Sequence, residues 1–308
     1  MAVIIDGKQL AKEKRENLKI ECEKLKEKGI NPKLAVIMVG DNKASQVYVR
    51  NKSKVCDEVG VEFEEFLLDG NIEQKELIEL IEKLKNALGE NLKSVILNIN
   101  TKKTNVVLGD KNVCLYGKEY IYDVLCGVKV RISPHSFYQV NHDMAEKLYQ
   151  KAAQYAEAEG KNILDLYCGA GTIGLSMAKS AKSIIGVEIV DAAVKDAVIN
   201  AQENGISNAR FICDDAANAA KQLKREKVSA DVVILDPPRK GCEQALLNTV
   251  ANDFAPERIV YVSCDVATLA RDTAILEALN YKLVEYTPVD LFPRTAHVET
   301  VALFVKGV

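Results

Sequence analysis

The stretch DLYCGAGTIG, residues 165–174, decides the fold of this 308-residue chain. It continues an apolar run that starts at Ile163, and it contains three glycines, Gly169, Gly171 and Gly174. A buried strand that ends in a glycine turn before a helix is typical of the first unit of an open α/β sheet. The stretch therefore predicts parallel strands that are joined by helices.

Apolar runs alternate with helical segments along the rest of the C-terminal two thirds. Strands are expected at 162–166, 183–187, 209–213, 231–235, 258–262, 281–286 and 298–305, after a helix at about 142–158. Such an alternation needs right-handed crossovers, which build a doubly wound, mostly parallel sheet. The last strands are expected to form an antiparallel edge. The predicted fold class is therefore α/β, with a Rossmann-like doubly wound sheet.

The N-terminal part of the chain has the pattern of a smaller α/β unit. Helices are expected at 7–28, about 44–59 and 72–88, with strands at 34–39 and 61–68. From Leu92 the pattern changes to short strands at 94–98, 104–108 and 128–132, with glycine turns between them. We therefore predict three segments: a small α/β unit at 1–88, a β-rich connector at 89–141 and the doubly wound domain at 142–308.

Composition and charge limit the classes of function. No apolar run approaches the roughly 20 residues of a membrane span, which predicts a cytoplasmic protein without a membrane partner. The eight cysteines form no C-x-x-C pair, so neither a metal site nor an iron–sulfur cluster is expected. The net charge is −3, but residues 85–135 carry eight Lys and Arg against four acids. Such a patch is compatible with an RNA surface or with a solvated face.

Glycines and carboxylates follow successive predicted strands at their C-terminal ends. Gly169 and Gly171 follow the first strand, Glu188 follows the second, Asp215 the third and Asp236 the fourth. Ligands of open α/β sheets bind at this edge, where Glu188 could accept both hydroxyls of a ribose. Asp215 could accept a hydrogen bond from an adenine or cap the next helix. The pattern fits S-adenosylmethionine (SAM), and the G-x-G-x-x-G spacing also allows a dinucleotide such as NAD.

A cysteine, Cys264, follows the predicted strand at 258–262 and is therefore expected at the same crevice. The chain also contains the motifs SFYQVN (136–141), DPPRKG (236–241), TLARD (268–272) and FPRTAHVET (292–300). In this order, the motifs resemble the RNA (uracil-5-)-methyltransferases over about residues 90–308. The resemblance implies a class I SAM-dependent methyltransferase domain, with Cys264 as nucleophile and Glu299 as base. It also implies that Gln139, Tyr167, Glu188 and Asp236 hold SAM.

The chemistry of uracil explains why such a family needs a thiol. Uracil C5 is a poor nucleophile, and addition of Cys264 to C6 creates an enolate whose C5 can attack a sulfonium methyl group. Glu299 would then remove the C5 proton. The resemblance is greatest to bacterial enzymes that modify 23S ribosomal RNA, so ribosomal RNA is the expected substrate and transfer RNA the alternative. One departure is Val266 after Asp265, where the family usually has proline.

The start of the chain resembles a different family. Residues 7–70, with GKQLAKEKRENL and PKLAVIMVGDNKASQVYVRNKSKVCDEVGV, are similar to the start of the methylenetetrahydrofolate dehydrogenase/cyclohydrolases. In that family Tyr48 and Lys52, one helical turn apart, would be catalytic. An exposed pair on an amphipathic helix is the alternative. No QLPLP segment follows, so we do not expect folate turnover.

Three alternatives to uridine methylation remain open. An amino-group methyltransferase would also use Asp-Pro-Pro but would need no thiol. A fusion could bind SAM or RNA without turnover, because the family's usual N-terminal β-barrel and cysteine cluster are not among these residues. The chain could also be a fragment of a folate dehydrogenase/cyclohydrolase.

Overall fold

The chain forms two compact units, Met1–Leu92 and Lys93–Val308. The computed structural model describes residues 7–40, 43–99, 108–109, 111–139, 141–292, 295 and 297–307. Within these ranges, no helix is both long enough and apolar enough to cross a membrane.

The first unit is a two-stranded parallel sheet with three helices. Its elements are α1 (Gly7–Glu27), β1 (Lys33–Val39), α2 (Lys43–Val59), β2 (Glu62–Leu68) and α3 (Gln74–Leu88), followed by a 3-10 turn at Gly89–Asn91. The parallel pairing of β1 with β2 runs from Lys33 and Glu62 to Val39 and Leu68. Each of these helices and strands lies within two residues of its predicted bounds.

Two β-hairpins open the second unit. β3 (Ser94–Ile99) pairs antiparallel with β4 (Lys111–Gly117), and β5 (Ile121–Leu125) pairs antiparallel with β6 (Val128–Ile132). The apolar pattern predicts β3 and β6 but misses β4 and β5. Polar residues interrupt these two strands, so cross-strand pairing rather than local pattern defines them. The strand predicted at 104–108 lies almost entirely outside the described residues.

A seven-stranded sheet forms the rest of the second unit. Its strands are β7 (Asn162–Leu166), β8 (Ser183–Glu188), β9 (Ala209–Cys213), β10 (Val232–Leu235), β11 (Arg258–Ser263), β12 (Tyr281–Val289) and β13 (Glu299–Lys306). The strand order is β12-β13-β11-β10-β7-β8-β9. Strands β7 to β11 are parallel, and β13 is antiparallel to both of its neighbours. The predicted α/β class and the antiparallel last strands are confirmed.

Helices cover both faces of this sheet. They are α4 (His142–Ala156), α5 (Thr172–Ser176), α6 (Asp191–Glu203), α7 (Ala216–Arg225), α8 (Gln244–Asn248) with a π-helical continuation at Thr249–Phe254, and α9 (Val266–Ala278). Alternate residues of β10 enter opposite cores: Val232 and Ile234 belong to one, and Val233 and Leu235 to the other. A sheet buried on both faces offers its strand ends to a ligand.

Candidate active site

A cavity of about 620 Å³ lies where β7, β8, β10 and β11 end. Eight of the nine residues predicted for the site line it. They are Gln139, Tyr167, Gly169, Glu188, Asp215, Asp236, Cys264 and Glu299. Pockets of roughly 300 to 1,000 Å³ hold small molecules in proteins, so the cavity can accommodate a ligand of nucleotide size. Within the described part of the chain, no cluster of His, Cys, Asp or Glu is arranged to hold a metal.

The turn after β7 approaches the cavity through Gly169, whereas Gly171 faces the protein interior. A Cβ on Gly169 would meet no described atom within 4 Å, so a ligand can contact this backbone closely. A Cβ on Gly171 would lie 2.9 Å from the Phe211 ring and 3.2 Å from the Cβ of Ala197. Packing against α6 and β9 therefore explains the glycine at position 171. Its contact with a ligand stays a prediction.

Two backbone amides hold the carboxylate of Glu188 at the end of β8. Its Oε2 accepts a hydrogen bond from the N–H of Gly169 at 3.1 Å, and its Oε1 accepts one from Val190 at 2.8 Å. Each carboxylate oxygen can accept about two hydrogen bonds. Both oxygens therefore keep the capacity to accept a ribose hydroxyl.

Asp215 lines the cavity, but its carboxylate caps a helix. Its Oδ1 accepts hydrogen bonds from the N–H groups of Ala217 at 2.9 Å and Asn218 at 3.2 Å, in the first turn of α7. Of the two roles expected from the sequence, the capping role is the one observed. The preceding residue, Asp214, lines the cavity as well.

The segment before α4 supplies an amide and an aromatic ring to the cavity wall. Gln139 is buried there, while Phe137 is 70% exposed. An exposed aromatic ring in the wall of a cavity offers a face on which a nucleobase can stack. Tyr167, which directly follows β7 and also lines the cavity, has a φ of +67°. Such left-handed backbone is uncommon for a residue with a side chain and is found at many functional sites.

Strand pairing brings the thiol and one carboxylate together. In the antiparallel pair of β11 and β13, Ser263 lies opposite Thr300. Cys264 directly follows Ser263, and Glu299 directly precedes Thr300, so the same register places Cys264 beside Glu299. Both residues line the cavity, with Cys264 half-buried and Glu299 4% exposed.

Cys264, Asp236 and Glu299 influence one another electrostatically. Burial, followed by the charges of Glu299 and Asp236, raises the pKa of the Cys264 thiol. Burial raises the pKa of Glu299, and burial together with the charge of Glu299 raises the pKa of Asp236 well above its usual range. The resting thiol is therefore protonated near neutral pH, and its reaction requires a proton acceptor.

Arg239 is a functional candidate that the sequence patterns do not single out, although it lies within DPPRKG. Its Nη2 donates a hydrogen bond to Nε2 of His297 at 3.3 Å, and both residues line the cavity. The charge of Arg239 lowers the pKa values of both Cys264 and Glu299, against the larger effect of burial. Arg239 thus counters the negative charge beside the thiol. Its position three residues after Asp236, at a strand end, is the signal that could have identified it.

Asp165, the first residue of DLYCGAGTIG, is a second residue that the sequence patterns do not single out. It is 1% exposed, and its Oδ2 accepts a hydrogen bond from the N–H of Gly174 at 3.0 Å. Its Oδ1 has no hydrogen-bond partner among the described residues. Burial raises the pKa of Asp165 to about 7, with a contribution from the charge of Glu188 and against the Gly174 hydrogen bond. Through this hydrogen bond the carboxyl group joins β7 to α5, the helix that follows the glycine turn.

A family model confirms the family predicted from the motifs. The model described as tRNA (uracil-5-)-methyltransferase matches residues 68–307, more than half of the chain. The chain belongs to the tRNA (uracil-5-)-methyltransferase family. Among solved structures, the Pyrococcus abyssi tRNA (uracil-54, C5)-methyltransferase in complex with S-adenosyl-L-homocysteine is 34% identical, with a TM-score of 0.59. The match covers 70% of this chain and 51% of that chain.

Curated relatives of this chain are named RNA methyltransferases. One from Bacillus cereus is 50% identical over 212 residues, which are 68% of this chain and 46% of that protein. Another, from Caldanaerobacter subterraneus subsp. tengcongensis, is 46% identical over 270 residues, which are 87% of this chain and 59% of that protein. The chain thus spans about half the length of the curated relatives it matches.

A second family model matches the start of the chain. The catalytic domain of tetrahydrofolate dehydrogenase/cyclohydrolase matches residues 5–97, which overlap the uracil-5-methyltransferase match over 68–97. This match agrees with the resemblance stated for residues 7–70. Lys52 lies partly buried on α2, and the side chain of Tyr48 lies outside the described part of the structure.

Proposed function

We propose that this protein transfers a methyl group from SAM to C5 of a uridine in RNA, through a covalent bond between Cys264 and C6. The proposal rests on one observation: the thiol of Cys264, the buried carboxylate of Glu299 and the strand-end acid Glu188, which is suited to a ribose, line the same cavity. An amino-group methyltransferase would need Asp236 but neither Cys264 nor the adjacent Glu299. The thiol beside the carboxylate therefore favours C5 chemistry.

The residues around the cavity fit SAM as the methyl donor. Glu188 would accept the ribose hydroxyls, Gly169 would let the backbone approach, and Gln139, Tyr167 and Asp236 would surround the amino-acid and sulfonium portion. Asp215 would keep the adjacent wall in place through its helix cap. SAM supplies an electrophilic methyl group when it is bound. The side chains of the protein must therefore activate uracil and remove its C5 proton.

Cys264 begins the reaction by forming a bond to C6 of uracil. The thiol proton passes to Asp236 or to solvent, and the electron pair of the C5–C6 double bond moves into an enolate. C5 then takes the methyl group, while the bond from that methyl group to the donor sulfur breaks and its electron pair stays on the sulfur. Glu299 accepts the C5 proton, the electrons of the C5–H bond restore the double bond, and Cys264 leaves as thiolate. Because burial raises the pKa of Glu299, this carboxylate is a stronger base than an exposed one.

We propose 23S ribosomal RNA as the substrate, with transfer RNA as the alternative, in the cytoplasm. The resemblance to bacterial ribosomal RNA enzymes supports the first choice, and the similar Pyrococcus structure, named for a transfer RNA activity, supports the second. Purified protein should be incubated with labelled SAM and with separated ribosomal and transfer RNA pools. Label in 5-methyluridine from one pool identifies the substrate, whereas label only in amino-methylated nucleosides would contradict the proposal.

The two proposed catalytic side chains serve different steps and can be separated. Cys264→Ala should abolish methyl transfer and the covalent complex, because no bond to C6 can form. Glu299→Gln should allow attack and methyl transfer but block proton removal, so the protein–RNA intermediate should accumulate. A denaturing gel with SAM and substrate RNA should show a slow band for Glu299→Gln that Cys264→Ala lacks.

Cys213→Ala is the matched control, because Cys213 is an exposed thiol at the end of β9. This variant should keep full activity and form the same trapped complex with RNA that contains 5-fluorouracil. Full activity in Cys264→Ala would overturn the mechanism. SAM binding without turnover in the unmodified protein would instead favour a binding fusion.

A further inference from the structure

Two segments that are far apart in sequence contact each other near the thiol. One is the loop 236–242, which follows β10 and carries Asp236 and Arg239. The other is the start of α9, which follows Cys264 and is capped by Asp265. The N–H of Gly241 donates to the carbonyl of Pro238 at 2.8 Å, so the loop closes on itself in a tight turn. The contacts between this loop and α9 therefore determine how far the loop lies from the thiol.

Asp272 on α9 is a buried acceptor for groups from three elements. It is fully buried, and its Oδ2 accepts hydrogen bonds from the N–H of Cys242 at 2.8 Å and the hydroxyl of Tyr261 at 2.6 Å. Its Oδ1 accepts from Nε of Arg271 at 2.8 Å. A buried carboxylate without such partners would be strongly destabilising, so these bonds hold the loop end, β11 and α9 together.

Arg271 completes the connection from the solvent side. Its Nη2 donates to the backbone carbonyl of Lys240 at 2.9 Å and to that of Cys242 at 3.2 Å. It also forms an ion pair with Asp272 at 2.7 Å. The planar guanidinium group spans these acceptors in a fixed geometry, which a lysine ammonium group cannot reproduce. Arg271 and Asp272 therefore bind the loop through hydrogen bonds to its main-chain groups.

The contacts of Arg271 and Asp272 with the loop leave no room for a side chain at Gly241. A Cβ there would lie 2.5 Å from Nη2 of Arg271 and 2.7 Å from Oδ2 of Asp272, at a φ of +72°. The loop at Gly241 is thus closely packed against Arg271 and Asp272 of α9. The contact is independent of the cavity lining, since neither Arg271 nor Asp272 is among the residues that line the cavity.

We infer that Arg271 and Asp272 form a positioning clamp, which fixes the loop 236–242 against α9 and so sets Asp236 and Arg239 relative to Cys264. The inference rests on the proposed function for its consequence in catalysis. The clamp touches no reacting atom. Its effect is to keep the cation of Arg239 and the carboxylate of Asp236 at a fixed distance from the thiol, where small displacements cost about a hundredfold in rate.

The clamp variants conserve charge, so their effects come from geometry. Arg271→Lys loses the two-carbonyl contact, and Gly241→Ala displaces the clamp from the loop side. The controls are Arg258→Lys and Gly205→Ala. Arg258 also joins a carboxylate, Glu157, to a backbone carbonyl, but at the other end of β11. Gly205 has a φ of +65°, and a Cβ there would meet no described atom within 4 Å.

Alkylation of Cys264, measured by peptide mass spectrometry across pH, tests the clamp without RNA. The groups whose charges act on this thiol are Glu299, Asp236 and Arg239. Loop 236–242 carries both Asp236, whose charge raises the thiol pKa, and Arg239, whose charge lowers it, so displacement of the loop should shift the alkylation midpoint in both clamp variants and leave it unchanged in both controls. Unchanged midpoints in the clamp variants, or equal shifts in the controls, would overturn the clamp.

Trapping by RNA that contains 5-fluorouracil tests the consequence for catalysis. Both clamp variants should form the covalent complex about tenfold to a hundredfold more slowly, with thermal midpoints close to those of the controls. A loss of thermal stability relative to the controls would mean general damage and would overturn the positioning role. A shifted alkylation midpoint in a protein whose unmodified form never methylates RNA would refute the proposed function and leave the clamp standing.

Discussion

The two units of this chain share a local pattern of parallel strands and helices, but they differ in how deeply their sheets are buried. In the first unit, Leu67 on β2 is 62% exposed, and the sheet has two strands. In the second, Leu164 on β7 is 1% exposed, and the sheet has seven strands with a core on each face. A strand pattern alone therefore does not determine whether a sheet can shield a site from water.

Burial has a direct chemical consequence in the second unit. The carboxyl groups of Asp165, Asp236 and Glu299 lie where the sheet ends, and burial raises the pKa of each. Raised carboxyl pKa values produce bases that are suited to proton removal near neutral pH. The resemblance of the first unit to a folate enzyme rests on its sequence, while the cavity described above is lined by residues of the second unit.

The largest expected effect is on stability. Leu164→Ala should lower the free energy of unfolding of the second unit by about 2 to 5 kcal/mol, because it leaves a void in a packed core. Leu67→Ala, the matched truncation in the first unit, should change stability by about 0.5 kcal/mol or less. Urea titrations followed by circular dichroism measure both changes. Equal losses would show that the first sheet is as well packed as the second.

Much of the fold follows from the sequence because burial on both sheet faces leaves long apolar runs. The runs of β7 and β10 are of this kind, and the glycine turn after β7 fixes their direction. The strands β4 and β5 escape prediction because their residues are held by cross-strand partners instead of by a continuous apolar run. Pairing between distant residues is not visible in a single local window.

The site is predictable in composition but less so in geometry. Eight of nine predicted residues line one cavity, because strand ends of a parallel sheet meet at one edge. Gly171 is the exception, since glycine can serve packing as well as ligand contact. Asp165 and Arg239 are missed because their importance comes from burial and from neighbouring charges. Neither property can be read from residue type.

The second effect in size concerns the ligand edge of the large sheet. Glu188→Ala should weaken SAM binding by about 1.5 to 3 kcal/mol, or roughly 10-fold to 150-fold, because ribose hydroxyls lose a charged acceptor. Asp191→Ala is the control, since Asp191 is an exposed acid nearby that pairs with Lys195 at 2.5 Å. Calorimetry measures both affinities. Binding of NAD in place of SAM would contradict the assignment of this edge.

The third effect is a pH dependence that comes from Asp165. Its pKa is raised to about 7 in the folded chain, so the folded state binds a proton more tightly than the unfolded state. Its stabilising contribution is complete below the unfolded pKa, near 4, and is lost as pH rises towards about 7. Between pH 5 and pH 7 the loss should be about 2 kcal/mol, at roughly 1.4 kcal/mol per pH unit.

Asp165→Asn removes this titration and keeps the shape of the side chain. Thermal unfolding of both proteins at several pH values should therefore show the variant gaining stability relative to the unmodified chain as pH rises. A constant difference across pH would mean that Asp165 stays ionised in the folded state.

The smallest effect is expected in the first unit, at Lys52. A lysine acts as a catalytic base or acid when a pocket perturbs its pKa and seats the substrate, and the cavity assigned to catalysis is lined by other residues. Lys52→Ala should therefore leave RNA methylation nearly unchanged, within about twofold, and neither this variant nor the unmodified chain should turn over methylenetetrahydrofolate. A spectrophotometric folate assay run beside the methylation assay checks both statements. Folate turnover that disappears in Lys52→Ala would show that the first unit holds a working site. The two units would then differ in the reactions they catalyse and not in whether their sheets are buried deeply enough to hold a site.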